Sequence, residues 1–368
     1  MPRNDRLKLI KAIQTERESK VIVYMLGDRP NFLTNIADDA VRIFYDYLES
    51  IGQQHAIDLF LYARGGNIVP PFRIVKLIRE YCKKFGVLVP YRAHSAATLL
   101  ALGADEIVMG KMGELSPIDP TTGHPFNPQD PADPRKRVPI SVEDVTSYMR
   151  FAKEKAKLSE EKRIDIFQIL TNKIHPLALG NIERGHGLIR ELAPKLLWLH
   201  MKNKEKIQGI VELLAERKIH GYMICRDEAH KELKLPILRP SSTLERDMWS
   251  LYEAYEKDLQ LLEPFDPNVV LGSQPSTTFS VEAAYIESVA HLDAFVFEGT
   301  MRRARPVQIR LPGVVPGPPP TAPPPAPSTR PIAPSPQPTA PPSRPAPTLT
   351  IGQPVTVTFT SRRWKRIV

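Results

Sequence analysis

Tyr91-Arg92-Ala93-His94-Ser95-Ala96-Ala97-Thr98-Leu99-Leu100-Ala101-Leu102-Gly103-Ala104-Asp105-Glu106-Ile107 is the stretch that decides the fold. Its small polar residue Ser95 stands at a turn, directly before an apolar segment that is typical of a buried helix. That helix runs to Gly103, and a short strand from Glu106 to Met109 follows it. A serine in this position can cap the helix, or it can present a nucleophilic hydroxyl at the helix N-terminus.

A second feature lies upstream, where a predicted strand over Ala56 to Tyr62 runs directly into Arg64-Gly65-Gly66-Asn67. A glycine pair after a strand can present backbone N–H groups to a ligand at close range. Such donors stabilise the oxyanion that forms when a hydroxyl attacks a carbonyl carbon. The two segments together therefore predict an acyl-transfer site.

The pattern around these segments alternates between strands and helices. Strands are predicted at Lys20–Leu26, Ala56–Tyr62, Val87–Pro90 and Glu106–Met109, and helices at Val41–Ile51, Pro70–Phe85 and after Ser95. Strand–helix alternation of this kind indicates a parallel sheet with right-handed crossovers. The sequence therefore predicts an α/β fold.

The rest of the chain divides by composition. A mostly helical pattern over about 141–217 predicts an arm or lid, and Ser280 to Glu298 is predicted as a helix with a last strand. Residues 311–347 are dominated by proline and predict a disordered linker, followed by a basic tail over 348–368. Residues 1–310 are then the folded domain.

The net charge of +9 is concentrated at the C-terminal end. Ten basic and no acidic residues lie from Met301 onward, which leaves −1 for residues 1–300. A near-neutral folded part disfavours a nucleic-acid-binding domain, although the basic tail could bind an acidic partner or surface. With two distant cysteines, a charged N-terminus and no apolar run long enough to span a membrane, we expect a cytoplasmic location.

Three blocks resemble the serine dehydrogenase proteinase family of signal-peptide-peptidase-like proteins, within the Clp protease and crotonase superfold. They are Leu61-Tyr62-Ala63-Arg64-Gly65-Gly66, the segment Ala93–Thr98, and Glu114-Leu115-Ser116-Pro117-Ile118-Asp119-Pro120. A weaker fourth match begins at His220-Gly221-Tyr222. The resemblance implies a ββα superhelix that assembles as a homo-oligomer, a trimer or larger.

The resemblance also implies site residues. The nucleophile falls on Ser95, and the oxyanion hole on the backbone N–H groups of Gly66 and Ala96. For the general base it leaves alternatives: His220 oriented by Asp119, His124, or a lysine such as those at 136, 153 and 155. His94, beside the nucleophile, is interpreted as a pocket residue.

The chain departs from the family pattern at Arg64, which replaces a proline, at Ala96-Ala97, which replaces two glycines, and at Gly221, which replaces an aspartate. The primary hypothesis is a serine hydrolase, a peptidase acting on a peptide or protein. The alternative is a catalytically weak scaffold whose tail binds partners. No clustered ligand spacing or dinucleotide fingerprint is visible, so no metal, no cofactor and no literal serine dehydrogenase are predicted.

Overall fold

The computed structural model describes residues 3–118, 121–122, 125–215, 222–304, 308–310, 348–350 and 355–368. The strands are β1 (Lys20–Leu26), β2 (Gln54–Tyr62), β3 (Cys82–Val89), β4 (Arg92–Ala93), β5 (Glu106–Met109), β6 (Glu114–Leu115), β7 (Thr121–Thr122), β8 (Ile140–Ser141), β9 (Ile224–Cys225), β10 (Ile237–Leu238), β11 (Ser276–Glu287), β12 (Leu292–Arg303), β13 (Gln308–Arg310), β14 (Thr348–Thr350) and β15 (Val355–Arg366).

The α-helices are α1 (Arg3–Arg17), α2 (Asp39–Ile51), α3 (Val69–Tyr81), α4 (Ala96–Ala101), α5 (Val142–Arg150), α6 (Glu160–Lys173), α7 (Pro176–Leu197), α8 (Lys204–Ala215), α9 (Arg226–Lys231), α10 (Ser242–Asp258) and α11 (Pro267–Leu271). A π-helical turn at Phe151–Lys155 continues α5. Helices α5 to α8 occupy much of the stretch in which the sequence predicts a helical arm. Within the described residues, no helix is both long and apolar enough to cross a membrane.

The central sheet has the strand order β10-β5-β3-β2-β1-β11-β12-β15 among the described residues. Strands β1, β2, β3, β5 and β10 pair in parallel, whereas β11 pairs with β1 antiparallel. The predicted parallel core is therefore confirmed.

Both faces of the sheet are buried, as expected where helices cover a parallel sheet. Alternate side chains of β1 point to opposite faces. Ile22 and Tyr24 pack with α2 and α3 on one face, while Val23 and Met25 pack with α1 and α10 on the other. This double burial explains why β1 reads as a continuous apolar run.

The structure corrects two predictions of local structure and adds one helix that the sequence analysis did not predict. The helix predicted over Pro70–Phe85 ends at Tyr81, because Cys82 already pairs with Gln54 of β2. Much of the helix predicted after Ser280 belongs to strand β11, which pairs with β1. The charged N-terminal segment, for which no helix was predicted, forms α1.

A charged cluster joins α1 to the amino ends of the parallel strands. Arg17 Nε and Ser19 Oγ each donate to Asp58 Oδ2 at 2.8 Å. Arg17 also hydrogen-bonds to Glu106, and Lys84 Nζ lies 2.9 Å from Glu106 Oε2. Burial by itself would raise the pKa of Glu106, but the hydrogen bonds from Lys84 and Arg17 outweigh it and hold that pKa below its ordinary value.

The chain divides into two units. The first comprises Met1–Phe265, Phe279–Glu298 and Phe359–Val368, and the second comprises Asp266–Thr278 and Gly299–Thr358. Within the second unit, β13 pairs antiparallel with β14. The predicted disordered linker, 311–347, lies outside the described residues.

The C-terminal end of the chain lies in the first unit from Phe359 onward. Strand β15 is the edge strand of the sheet beside β12, and Lys365 Nζ lies 2.6 Å from Glu298 Oε1. The sequence analysis predicted this stretch as part of a basic tail, 348–368. Within this stretch β15 pairs through its backbone N–H and C=O groups with β12, which would otherwise be the open edge of the sheet, whereas β14 pairs with β13 in a separate sheet.

Candidate active site

Ser95 lies where β4 gives way to α4, which begins at Ala96. Its backbone has φ +51° and ψ −113°, a conformation that L-residues rarely adopt. Its side chain makes no capping hydrogen bond to α4. By contrast, the Oγ atoms of Ser141, Ser159 and Ser241 each accept a backbone N–H from the first turn of the helix that follows. Ser95 therefore differs from the serines that cap helices in this chain.

Hydrogen bonds to Ser116, which is itself bound by Thr98, hold Ser95 in this conformation. Its backbone N–H donates to Ser116 Oγ at 2.8 Å, and the Ser116 hydroxyl in turn donates to Pro117 O at 2.9 Å. The N–H of Ser116 donates to Thr98 Oγ1 at 3.0 Å, and the Thr98 hydroxyl donates to Ala93 O at 2.7 Å. Ser95 is thus held through its main-chain N–H, and in the described residues its Oγ forms none of these hydrogen bonds.

The glycine pair packs directly against this serine. A Cβ atom built on Gly65, where φ is +123°, would lie 2.9 Å from Ser95 Cβ and 3.3 Å from its Oγ. On Gly66, where φ is +146°, a Cβ would lie 2.4 Å from Ile36 O. Only residues without a side chain fit here, so the glycines allow the turn to approach both Ser95 and Ile36.

The hydrogen bonds of the turn set the direction of its amides. Ile36 N–H donates to Gly65 O at 2.9 Å, and Asn67 N–H donates to Ile36 O at 2.8 Å. These two bonds form an isolated parallel bridge between Ile36 and Gly66, and the N–H of Gly66 is not one of the groups that make it. The Ala96 N–H belongs to the first turn of α4, where N–H groups lack intrahelical acceptors. In the described part of the chain, neither the Gly66 N–H nor the Ala96 N–H donates to a backbone carbonyl of a turn or loop.

An ionic network borders the same turn. Arg64 Nε donates to Asp28 Oδ2 at 2.6 Å, and Arg92 Nη1 donates to the same oxygen at 3.2 Å. Arg92 Nε and His94 Nε2 lie 3.2 and 3.1 Å from Glu114 Oε1. Burial raises the pKa of Glu114 against the opposing effect of Arg92.

The network explains Arg64, the residue that stands in place of the family's proline. Its guanidinium is bound by Asp28, which follows β1 at the same edge of the sheet. The sequence analysis gave no role to Asp28 or to Glu114. The signal available in the sequence was Arg64 itself. A basic residue directly before the glycine pair could have predicted an acidic partner nearby.

Some of the candidates for the general base lie outside the part of the chain that the structure describes. Asp119, His124 and His220 lie outside the described residues, as does Gly221. The oriented pair of His220 and Asp119 therefore stays a prediction.

The three lysines named as alternatives are described. The Lys136 side chain is 72% exposed, and its Nζ lies 3.9 Å from Asp133 Oδ2. Lys153 and Lys155 lie on the π-helical turn and are exposed. In the described residues, none of the three forms a hydrogen bond with Ser95.

The fold and the geometry at Ser95 define a mixed α/β protein in which a serine that does not cap its helix lies against a glycine turn. Comparison with known families makes this description specific. Residues 2–175 match the family model described as ClpP-like SDH-type serine proteinase. This match confirms the resemblance to the serine dehydrogenase proteinase family, and it supports a ClpP-like fold.

Two curated relatives come from Methanocaldococcus jannaschii, and both are uncharacterized proteins. The chain is 27% identical to MJ0137 over 263 residues, which cover 69% of this chain and 80% of the relative. It is 29% identical to MJ1495 over 126 residues, which cover 32% of this chain and 42% of that relative.

A comparison with solved structures finds the 1510-N membrane-bound stomatin-specific protease, in a serine-to-alanine mutant. The two chains share 14% sequence identity with a TM-score of 0.32, and the match covers 61% of this chain and 80% of that one.

Proposed function

We propose that this chain is a serine peptidase in which Ser95 is the nucleophile. One observation carries the proposal: Ser95 begins a helix in a strained conformation, yet its hydroxyl does not cap that helix. Strained residues that the surrounding structure holds in place are typical of functional sites. The family match supports the same class of chemistry.

The proposed reaction follows from the positions of the backbone donors. Ser95 Oγ attacks the carbonyl carbon of a peptide bond, and its proton passes to a general base. The N–H groups of Gly66 and Ala96 donate to the oxygen that becomes negative, and each such donor is worth about 3 kcal/mol in the transition state. The base then gives the proton to the leaving amine, and water hydrolyses the acyl-enzyme in the second half of the cycle.

Labelling by a fluorophosphonate probe tests the nucleophile. The probe forms a bond to an activated serine oxygen and releases fluoride, so the wild-type protein should be labelled and Ser95→Ala should not. Ser241→Ala is the matched control, because Ser241 also begins a helix but its Oγ caps that helix. If the folded wild-type protein is not labelled, or if Ser95→Ala is labelled equally, the peptidase proposal fails and the scaffold alternative gains support.

The general base is proposed to be His220, oriented by Asp119. The variants His220→Ala and Asp119→Asn should slow labelling, by about 10²–10⁴-fold for the base itself. His124→Ala and Lys136→Ala, measured beside them, test the alternatives. If either of these abolishes labelling while His220→Ala does not, the base is reassigned to that residue.

Further properties implied by the family remain proposals. They are the crotonase-type superhelix and assembly as a trimer or larger. A cytoplasmic location and binding of an acidic partner by the basic C-terminal end, which composition and charge suggest, are proposals as well. Sedimentation of the purified chain measures the assembly directly. A monomer at micromolar concentration would contradict it.

A further inference from the structure

A cavity of about 640 Å³ lies in the first unit between the α7–α8 connection and the loop that follows α9. Its polar lining consists of Asp105, His200, Lys206, His230, Lys231 and Lys234. Met201, Leu235 and Pro236 add an apolar part. The cavity has no role in the peptidase proposal.

The cavity lies at the amino ends of the parallel strands, whereas Ser95 lies at their carboxyl ends. Asp105 immediately precedes β5, and Pro236 immediately precedes β10, which pairs with β5 in parallel. Ser95 lies beyond the carboxyl end of β3, the strand that pairs with β5 on its other side. In a parallel sheet these ends are separated by the length of the strands, roughly 13 Å for the four residues of β5. The cavity is therefore a separate site.

The lining of the cavity carries three lysines and one aspartate, Asp105. In the described residues no carboxylate forms an ion pair with Lys206, Lys231 or Lys234. Asp105 is already engaged, because its carboxylate accepts from Arg79 Nη2 at 3.0 Å and from the Phe85 N–H at 2.7 Å.

Asp227 also interacts electrostatically with Lys231, but its carboxylate is engaged elsewhere. Arg239 Nη2 donates to Asp227 Oδ1 at 2.8 Å. Lys206, Lys231 and Lys234 are exposed and line the same cavity, so together they make its local potential positive and attractive to an anion.

His200 adds a titratable group to the cavity wall. Its Nε2 lies 2.9 Å from Leu102 O, and burial lowers the pKa of this histidine. In the neutral form Nε2 carries the proton and donates to Leu102, which leaves Nδ1 as an acceptor. Lys206, like burial, lowers the pKa of His200. A bound anion would counter both effects, raise this pKa and favour the protonated ring.

We propose that this cavity binds a small organic molecule with two or more phosphate charges. Lysine ammonium groups bind phosphate as point charges, and the apolar wall offers contact to an organic part. The volume falls within the range of small-molecule sites. A nucleic acid would instead require an extended basic stripe, which the near-neutral folded part does not favour.

Isothermal titration with two probes tests the site: pyrophosphate for the phosphate groups alone, and adenosine triphosphate without divalent metal for a phosphate with an organic part. Adenosine serves as the uncharged comparison. The wild-type chain should bind both phosphates and not adenosine. The triple variant Lys206→Gln, Lys231→Gln, Lys234→Gln should bind them at least about tenfold more weakly, as expected when charge-assisted hydrogen bonds are lost.

The matched control removes the same charge elsewhere. Lys76, Lys173 and Lys257 are exposed and do not line the cavity, so their combined change to Gln should leave the affinity within about twofold. If both triple variants weaken binding equally, or if the wild type binds neither phosphate at about 1 mM, the proposal is overturned. If the triple cavity variant misfolds, the three single variants are measured instead. Each should weaken phosphate binding by a similar factor, and unchanged affinity in all three would overturn the proposal. Proton NMR of His200 gives a second readout, since its pKa should rise on addition of pyrophosphate and stay unchanged with adenosine.

Discussion

The strained backbone of Ser95 allows the roles of its conformation and its hydroxyl to be separated. Ser95→Ala removes the hydroxyl but keeps a Cβ in the conformation with φ +51° and ψ −113°. Ser95→Gly removes the hydroxyl and also permits that conformation without strain. The two variants should both lose probe labelling, yet they should differ in stability.

The magnitude follows from two opposing contributions to the free energy of unfolding. A sparsely populated conformation costs about 1–3 kcal/mol in a residue with a Cβ. Glycine loses more conformational freedom on folding, which costs about 0.5–1 kcal/mol relative to alanine. Ser95→Gly should therefore be more stable than Ser95→Ala by up to about 2.5 kcal/mol, the difference between these two ranges.

Urea titration of both variants at one protein concentration measures this difference, and equal concentrations also remove any effect of subunit assembly. Gly180, at an exposed position inside α7 with open space around it, gives the reverse control because its backbone is helical. Gly180→Ala should stabilise the protein by about 0.5–1 kcal/mol. If Ser95→Gly proves less stable than Ser95→Ala, the backbone of Ser95 is not strained, and the observation that carries the proposed function is lost.

Three further predictions concern the surroundings of the site and the sheet. Gly65→Ala should destabilise the protein by roughly 2–6 kcal/mol in urea titration and should abolish labelling. The reasons are that the new Cβ would meet Ser95 and that φ is +123° at this position. Wild-type stability of this variant would contradict the prediction. Ser116→Ala leaves the Ser95 N–H without its acceptor, so it should cost about 1–3 kcal/mol and slow labelling, whereas unchanged labelling would show that the support is dispensable. Glu106→Gln should lower stability by about 1–2 kcal/mol at pH 7, measured in the same way. Because the folded-state pKa of Glu106 is depressed, its contribution is present above the unfolded-state pKa and is lost as the pH falls through the folded value. The gap between Glu106→Gln and wild type should therefore begin to narrow as the pH falls below about 4, the ordinary pKa of glutamate, and should go on narrowing toward the lower folded-state value; a gap that does not narrow in acid would refute the assignment.

Local patterns predicted some elements well and others poorly. The strand Glu106–Met109 has the predicted bounds, since a short apolar run between polar residues leaves little choice. At Cys82 the helical spacing of apolar residues continues to Phe85, yet the chain is already a strand there. Pairing with β2, about 28 positions away, decides this, and that partner is not readable from local spacing.

The sequence by itself determined the parallel α/β order, the position of Ser95 before a helix and the glycine pair after a strand. These features depend on residue type and near neighbours, which a single sequence displays. Only the tertiary structure decided that Ser95 leaves its helix uncapped and that Ser116 and Thr98 hold it from behind. It also decided that Asp28 neutralises Arg64. These contacts join residues that are distant along the chain, so they exist only once packing has brought the strands to a common edge.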